Sequence, residues 1–248
     1  MSATGIGGGE YLVNAAYQTP VLLTRPLVAL LPFLAQPQVI LEPSVGGGAW
    51  VRAVLEREAR ERVFHRYLAV DVDPAAAGLA LVEQEGGEAV IGDFIGPELV
   101  LPRRPTVVLG NPPFGIPQPE QPCPDCGGTG RRLLRRGAER PCKKCKTSGR
   151  WRPKPIPCAQ DHIDRALKVV SARGHVVLLL RLAMLAGQDR IAFWKEHPAR
   201  HIWVIADRPD FTGEGGDSAE YALFWWDLGY TGPTTIEPVY TGSRARRG

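Results

Sequence analysis

A chain of 248 residues, 44% hydrophobic and 23% charged, has room for one α/β domain and a small insertion, and this composition excludes wholesale disorder. No apolar run approaches the ~20 residues that cross a bilayer; the longest, Val176 to Leu180, ends at Arg181. The Gly-rich opening Met1 to Gly9 carries no basic-then-apolar leader, so a cytoplasmic protein with reduced thiols is expected, and its five cysteines need a role other than disulfides.

Val39 to Glu42 is a short apolar run closed by Pro43 and a glycine cluster, which suits a buried strand and a turn. Ala49 to Arg62 follows with helical spacing, then Tyr67 to Val72 as a strand closed by Asp73-Pro74. Ala75 to Glu85 reads as a helix capped by Gly86-Gly87, and Ala89 to Ile91 and Thr106 to Leu109 as two further strands. From Pro112 to Pro157 this rhythm stops; Pro, Gly, Cys and basic residues dominate. It resumes with a helix over Asp161 to Ala172, a strand over Gly174 to Leu180, a helix around Asp189 to Lys195, and strands over His201 to Ala206 and Tyr221 to Asp227 that could pair antiparallel. Repeated strand–helix units predict a parallel sheet with helices on both faces. No internal repeat is evident. The expected division is a sheet domain over 1–114 and 159–242, an inserted subdomain over 115–158, and a flexible basic tail over 243–248.

Glu42-Pro43-Ser44-Val45-Gly46-Gly47-Gly48 lies between a strand and a helix. Glycine at Gly46 and Gly48 lets backbone amides approach a ligand where a Cβ would collide. A carboxylate at the strand end, Glu42, repels pyrophosphate and suits a cationic or hydroxyl-bearing ligand. Asp71 and Asp93 end the next two strands, where ligands bind in open α/β sheets, and Asp71 is spaced to accept from ribose hydroxyls. For any one of these acids, capping a helix N-terminus is the plainer role.

Asn111-Pro112-Pro113-Phe114 follows the fourth strand. Its prolines stiffen the chain and aim two acceptors, the Asn111 side-chain oxygen and the Pro112 carbonyl, which suit the two hydrogens of a planar NH2 group. Pulling on those hydrogens lets the nitrogen lone pair leave conjugation and point at a sulfonium methyl, a catalysis by positioning that needs no strong base. Phe114 is suited to stack on a base taken out of its helix.

The order of Gly-rich loop, two strand-end acids and Asn-Pro-Pro-Phe resembles the amino-group DNA methyltransferases, specifically the phage and restriction-type N6-adenine enzymes. Tyr17-Gln18-Thr19-Pro20 is similar to that family's N-terminal motif, and Asp164-Arg165-Ala166-Leu167, Leu180 to Gly187, Arg208-Pro209-Asp210-Phe211 and Gly216-Asp217-Ser218 with Tyr221 to Asp227 extend the likeness. The resemblance implies a Rossmann-like seven-stranded sheet, S-adenosylmethionine as methyl donor, DNA as partner, and in-line transfer to adenine N6. It assigns the cofactor to Tyr17, Thr19, Glu42, Pro43, Gly46, Gly48, Asp71, Asp93, Phe94 and Asn111, and catalysis to Asn111, Pro112, Pro113 and Phe114. Enzymes acting on RNA amino groups or on protein glutamine share the catalytic motif, and a catalytically dead nucleic-acid binder is a further alternative.

The insertion departs from that family. Cys123-Pro124-Asp125-Cys126 and Cys142-Lys143-Lys144-Cys145 are two C-x-x-C knuckles at a separation typical of a structural four-thiolate zinc site. The first is similar to the cysteine-rich repeats of DnaJ-type chaperones; the second lacks one of their glycines, at Thr147. Between Gly115 and Gln160 eleven basic residues face three acidic ones, a net of +8, so the rest of a chain of net +4 carries −4. Such concentration predicts a phosphate-facing surface, with Arg131, Arg132, Arg135, Arg136, Lys143 and Lys144 as candidates. Because the insertion starts directly after Phe114, this charge is expected near the catalytic pocket.

Overall fold

The computed structural model describes residues 19–116, 118–134, 137–211 and 219–243. They form two compact units, Phe114–Cys158 and the chain on either side of it. Tyr17, Arg135, Arg136 and the Gly216-Asp217-Ser218 block lie outside the described residues.

The larger unit is built on one sheet. In chain order its strands are β1 (Val39–Glu42), β2 (Arg66–Asp71), β3 (Glu88–Ile91), β4 (Val107–Gly110), β5 (His175–Arg181), β6 (His201–Ile205), β7 (Tyr221–Asp227) and β8 (Thr235–Val239). Their spatial order is β8-β6-β7-β5-β4-β1-β2-β3. All neighbours run parallel except β7, which is antiparallel to both β5 and β6. Strands β1, β4 and β5 are apolar along nearly their whole length because both faces are covered. The chain moves outward from β1 to β3 and then returns to place β4 on the other side of β1. The carboxyl ends of β1 and β4 therefore border the switch point of the sheet, where α/β proteins bind ligands.

The sheet has eight strands where seven were expected. The added one, β8, pairs parallel with β6 from His201↔Thr235 to Ile205↔Val239. Its residues are mostly exposed and include Pro238, which only an edge strand tolerates, so it lacks the apolar signature of the other seven. Beyond it, Asp207 accepts hydrogen bonds from the Thr241 amide and hydroxyl and from the Ser243 amide, which fixes the first residue of the expected tail.

Four helices match expected ones with ends shifted by up to three residues: α2 (Ala49–Glu61), α3 (Ala77–Gln84), α4 (Ala159–Val169) and α5 (Ile191–Glu196). A fifth, α1 (Val21–Ala29), was not expected, because Pro26 interrupts its pattern. It is held by α2 at two points. The Thr24 hydroxyl donates to the Ala49 carbonyl at 3.0 Å, and the buried Arg57 guanidinium donates to the carbonyls of Val28 and Leu31 at 2.9 and 2.8 Å. This anchoring sets the position of Thr19 and Pro20 at the start of α1.

The smaller unit contains three short antiparallel ribbons, nested in sequence: Gly115–Ile116 with Ile156–Pro157, Gln121–Pro122 with Arg150–Trp151, and Arg131–Leu133 with Glu139–Pro141. Strands of two or three residues are too short to leave a periodic trace. Its core consists of Cys123, Cys142 and Cys145, with Cys126 and Trp151 packed against them.

Candidate active site and cysteine cluster

At the end of β1, Glu42 is 3% exposed, and its Oε2 has no hydrogen-bond partner among the described residues. Burial holds its carboxyl well above the usual carboxylate range. The charge of Asp71 pushes the same way, and only a hydrogen bond from the Val51 backbone in α2 opposes them. Asp71, at the end of β2, accepts the Gly46 amide at 2.8 Å and the Asp73 amide at 3.0 Å. It thus braces the glycine loop and retains further lone pairs for a ligand. Asp93 lies just past β3, is exposed, and accepts the Ile95 amide at 3.1 Å, capping a turn where the plainer reading had a helix N-terminus. Phe94 is buried at 2% exposure, with its ring 5.9 Å from that of the buried His162 on α4.

The glycines of the loop answer to packing as well as to turn geometry. Gly48 caps α2 with φ +74°, and a Cβ there would stand 3.1 Å from the Gly78 Cα. Gly78 in α3 donates its amide to the Gly46 carbonyl at 2.8 Å, and a Cβ on Gly78 would meet Val45 at 2.4 Å. The amides of Gly46 and Gly48 are taken by Asp71 and by the Val45 carbonyl. The loop is therefore clamped between β2 and α3, with Glu42 at its root.

At the end of β4 the backbone passes close to that root. A Cβ on Gly110 would lie 3.2 Å from Pro43 and 3.6 Å from Glu42, so a side chain there would fill the space between the two strand ends. The next residue, Asn111, donates from Nδ2 to the Thr19 hydroxyl at 3.1 Å. Its Oδ1 is buried and has no partner among the described residues. With the amide nitrogen on Thr19, the oxygen is its unsatisfied end. Pro112 is buried and Pro113 exposed. Two buried acceptors without donors, Glu42 Oε2 and Asn111 Oδ1, thus sit at neighbouring strand ends. Such atoms destabilise a fold by ~1–3 kcal/mol each unless a ligand supplies the missing hydrogens. Thr19 was expected from resemblance alone; its role toward Asn111 leaves no trace in spacing, since 92 residues separate them.

In the smaller unit the Sγ atoms of Cys123, Cys126, Cys142 and Cys145 all lie within 4.8 Å of one another. Cys123 and Cys142 are 3.8 Å apart, Cys126 and Cys145 3.7 Å. A tetrahedron with zinc–sulfur arms of about 2.3 Å has edges of about 3.8 Å. These contacts are far too long for disulfides and match a metal-sized void. Burial pushes the Cys123 thiol up to about 11. At Cys126 burial acts likewise, but the amides of Gly130 and Gly128 outweigh it and bring that thiol down to about 7. The set fits a closed, structural zinc. Cys158 is buried and outside this cluster.

The two knuckles form a repeat of 19 residues that composition alone did not reveal. Gly127, Gly128 and Gly130 have φ of +59°, +91° and +76°; the equivalent Lys146, Thr147 and Gly149 have +48°, +72° and +72°. The halves exchange equivalent hydrogen bonds, Cys123 N to Gly149 O at 2.8 Å and Cys142 N to Gly130 O at 2.9 Å. A Cβ on Gly149 would lie 2.0 Å from the Gly128 carbonyl, and one on Gly130 2.3 Å from that of Thr147.

No family model matches the chain, and no curated protein does. Solved structures do. A protein of Listeria monocytogenes assigned to the class I S-adenosylmethionine-dependent methyltransferases aligns over 90% of this chain and 65% of its own, at TM-score 0.59 and 17% identity. The methyltransferase subunit of a type I restriction-modification system from Streptococcus thermophilus aligns over 89% and 47%, at TM-score 0.57 and 12% identity. A protein of Pyrococcus horikoshii assigned as an RNA methyltransferase aligns over 85% and 91%, at TM-score 0.51 and 14% identity. The chain spans less than two thirds of the length of the first two. The fold is the Rossmann-like class I methyltransferase fold, carrying an inserted cysteine-bearing unit. S-adenosylmethionine, which this fold implies, bears an ammonium, ribose hydroxyls and an adenine amino group, all donors. The acceptors Glu42, Asp71 and Asp93 fit them. No helix among the described residues is long and apolar enough to cross a membrane.

Proposed function

We propose that the chain transfers a methyl group from S-adenosylmethionine to the exocyclic N6 of adenine in DNA, as a site-specific adenine methyltransferase. The observation that carries this reading is Asn111 Oδ1, buried and without a partner among the described residues, on an amide anchored by Thr19. An acceptor in that state is matched to a donor hydrogen, and a planar NH2 group supplies one to it and a second to the Pro112 carbonyl. Bound S-adenosylmethionine supplies an electrophilic methyl on a sulfonium. Asn111 and Pro112 hold the amino nitrogen and draw its lone pair out of conjugation, Pro113 stiffens the turn, and Phe114 stacks on the flipped base. Glu42 takes the donors of the cofactor's cationic or hydroxyl end, and Asp71 its ribose hydroxyls. Asp93 takes the adenine amino group; Tyr17, Thr19, Pro43, Gly46, Gly48 and Phe94 complete its surroundings. On this reading the flanking segments are the catalytic domain, and 115–158 is a zinc-stapled basic subdomain that holds DNA.

RNA is the second reading, because the Pyrococcus structure is matched over nearly its whole length. Incubation with tritiated S-adenosylmethionine and unmethylated DNA, RNA or protein, followed by nucleoside chromatography, decides. Label in N6-methyladenine from DNA is expected; label confined to RNA or protein, or none at all, overturns the proposal.

A further inference from the structure

The two cysteine knuckles share left-handed backbone at three equivalent positions and a set of equivalent hydrogen bonds, so their structural requirements are alike. The Thr129 hydroxyl bridges the carbonyls of Cys126 and Arg131 at 2.8 Å each, and the Ser148 hydroxyl bridges those of Cys145 and Arg150 at 2.7 and 3.0 Å. Their side chains differ sharply. Where the first half has Pro124, Asp125, Gly127 and Gly128, the second has Lys143, Lys144, Lys146 and Thr147. That exchange moves the knuckle from −1 to +3. It also places a lysine and a β-branched residue at φ +48° and +72°, positions the first half fills with glycine. A left-handed backbone destabilises a non-glycine residue by ~1–2 kcal/mol. A knuckle serving only to hold a metal has no use for that strain, and strain kept in place points to a function.

Ion pairing sorts the cations further. The three acids of the insertion are all engaged: Glu120 by Arg150 at 3.3 Å, Glu139 by Arg131 at 2.9 Å, and Asp125 by Lys144 at 3.1 Å with Arg132 at 3.8 Å. Lys144 also lies 4.6 Å over the Trp151 ring, so it joins the two halves of the module. Lys143, Lys146 and Arg140 are exposed and make no ion pair among the described residues.

We infer that the second cysteine knuckle is a docking face for the DNA backbone, with Lys143, Lys146 and Arg140 as its phosphate contacts. Arg131, Arg132 and Lys144, named from sequence as nucleic-acid contacts, serve instead mainly to hold the module together. The partner follows from charge: exposed cations with no acid beside them bind phosphodiester oxygens and release the counterions condensed there. This inference rests on the proposed action on DNA.

The test is fluorescence anisotropy of the whole protein with a labelled unmethylated duplex, over a series of salt concentrations. Variants are Lys143→Ala, Lys146→Gly and Arg140→Ala, singly and together, beside Lys144→Ala. Each lost phosphate contact lowers the salt slope by about 0.9 and weakens binding about eightfold at 0.1 M salt. Lys146→Gly is decisive, because glycine restores the backbone preference of the repeat. It is expected to keep the parent's zinc content and melting temperature, or raise the latter, while losing affinity. Lys144→Ala is expected to leave the salt slope in place. Unchanged affinity and slope in the triple variant overturn the inference, as does a loss seen with RNA of the same sequence or with polyglutamate but not with DNA. Failure of this inference and failure of the enzymatic reading are separable. A parent that methylates DNA while the triple variant binds normally sinks only the docking face. A parent that binds DNA through these residues but transfers no methyl sinks only the enzymatic reading.

Discussion

Thr19→Val isolates the orientation of the catalytic amide from its presence. Valine is close to threonine in shape but removes the oxygen that accepts the Asn111 Nδ2 hydrogen at 3.1 Å. With that bond gone, no side-chain hydrogen bond among the described residues holds the Asn111 amide in place, since Oδ1 has no partner of its own. A neutral hydrogen bond contributes ~0.5–1.5 kcal/mol, which converts to roughly a two- to tenfold loss of correctly oriented amide, and hence of kcat. Asn111→Ala removes the acceptor altogether, and comparable losses of a preorganised polar group lower kcat by about 10²–10³. The assay is transfer of tritiated methyl to unmethylated duplex DNA, with kcat and KM measured separately for Thr19→Val, Thr19→Ser and Asn111→Ala. Thr19→Ser keeps the acceptor and should recover most of the parental kcat, a rescue that a purely structural role for Thr19 does not foresee. Parental kcat in Thr19→Val refutes the orienting role. Parental kcat in Asn111→Ala refutes the catalytic reading as a whole.

Glu42→Gln should affect fold and binding in opposite senses. Because burial raises the Glu42 pKa, the native state holds its proton to higher pH than the unfolded chain, so the unliganded protein loses stability as pH climbs through that interval. Glutamine removes this loss: calorimetry at pH 8 should show a higher Tm, while titration calorimetry shows weakened S-adenosylmethionine binding; an unchanged Tm and affinity contradict both. Asp207 behaves inversely. Burial pushes its carboxyl up, but hydrogen bonds from Thr241 and Ser243 prevail and hold it below its ordinary value. Its contribution is therefore present above the unfolded carboxylate range and lost as pH falls through the native pKa, and Asp207→Ala should speed amide exchange across Thr235–Val239 at pH 7. Gly149→Ala places a methyl 2.0 Å from the Gly128 carbonyl at φ +72°, so the strands of the cysteine module must part. Zinc per chain, read with a chromogenic chelator, should fall well below one, and stoichiometric zinc in that variant contradicts the packing described.

Seven of the eight strands of the sheet could be read from the chain, six because they are apolar on covered faces and the edge strand β3 from its short run Ala89 to Ile91, and the strand-end positions of Glu42, Asp71 and Asn111 followed from them. Strand β8 was invisible for the opposite reason: an exposed edge strand needs no apolar pattern, and Pro238 counts against it. Helix α1 was lost to Pro26, although Leu23, Leu27 and Val28 lie on one face; its stability comes from Thr24 and Arg57, tertiary contacts that no window on α1 contains. The four cysteines were legible as a metal site from spacing. The repeat around them, not expected from the chain, is in fact written there: Pro122, Cys123, Cys126, Gly130 and Arg131 recur as Pro141, Cys142, Cys145, Gly149 and Arg150, although Lys146 and Thr147 stand where Gly127 and Gly128 do. Turn-capping by Asp93 and loop-bracing by Asp71 could not be told from ligand binding in sequence, since both uses ask for a carboxylate at a strand end.

The distribution of charge ties the two units to different tasks. The sheet unit gathers acceptors at one end, Glu42, Asp71, Asp93 and Asn111 Oδ1, and the chain outside 115–160 carries −4. Such an end attracts a cationic cofactor and repels a phosphate backbone. A protein acting on DNA with this sheet needs its phosphate affinity supplied elsewhere, and +8 resides in the insertion. Bringing the same cations into the sheet unit would set them against Glu42 and weaken the acceptor end that holds the donor. Confining them to a cysteine-stapled module keeps the two electrostatic demands apart along the chain. It follows from the proposed function that raising salt should erode DNA binding steeply while leaving S-adenosylmethionine affinity little changed, because Glu42, its proposed partner, is buried from screening ions.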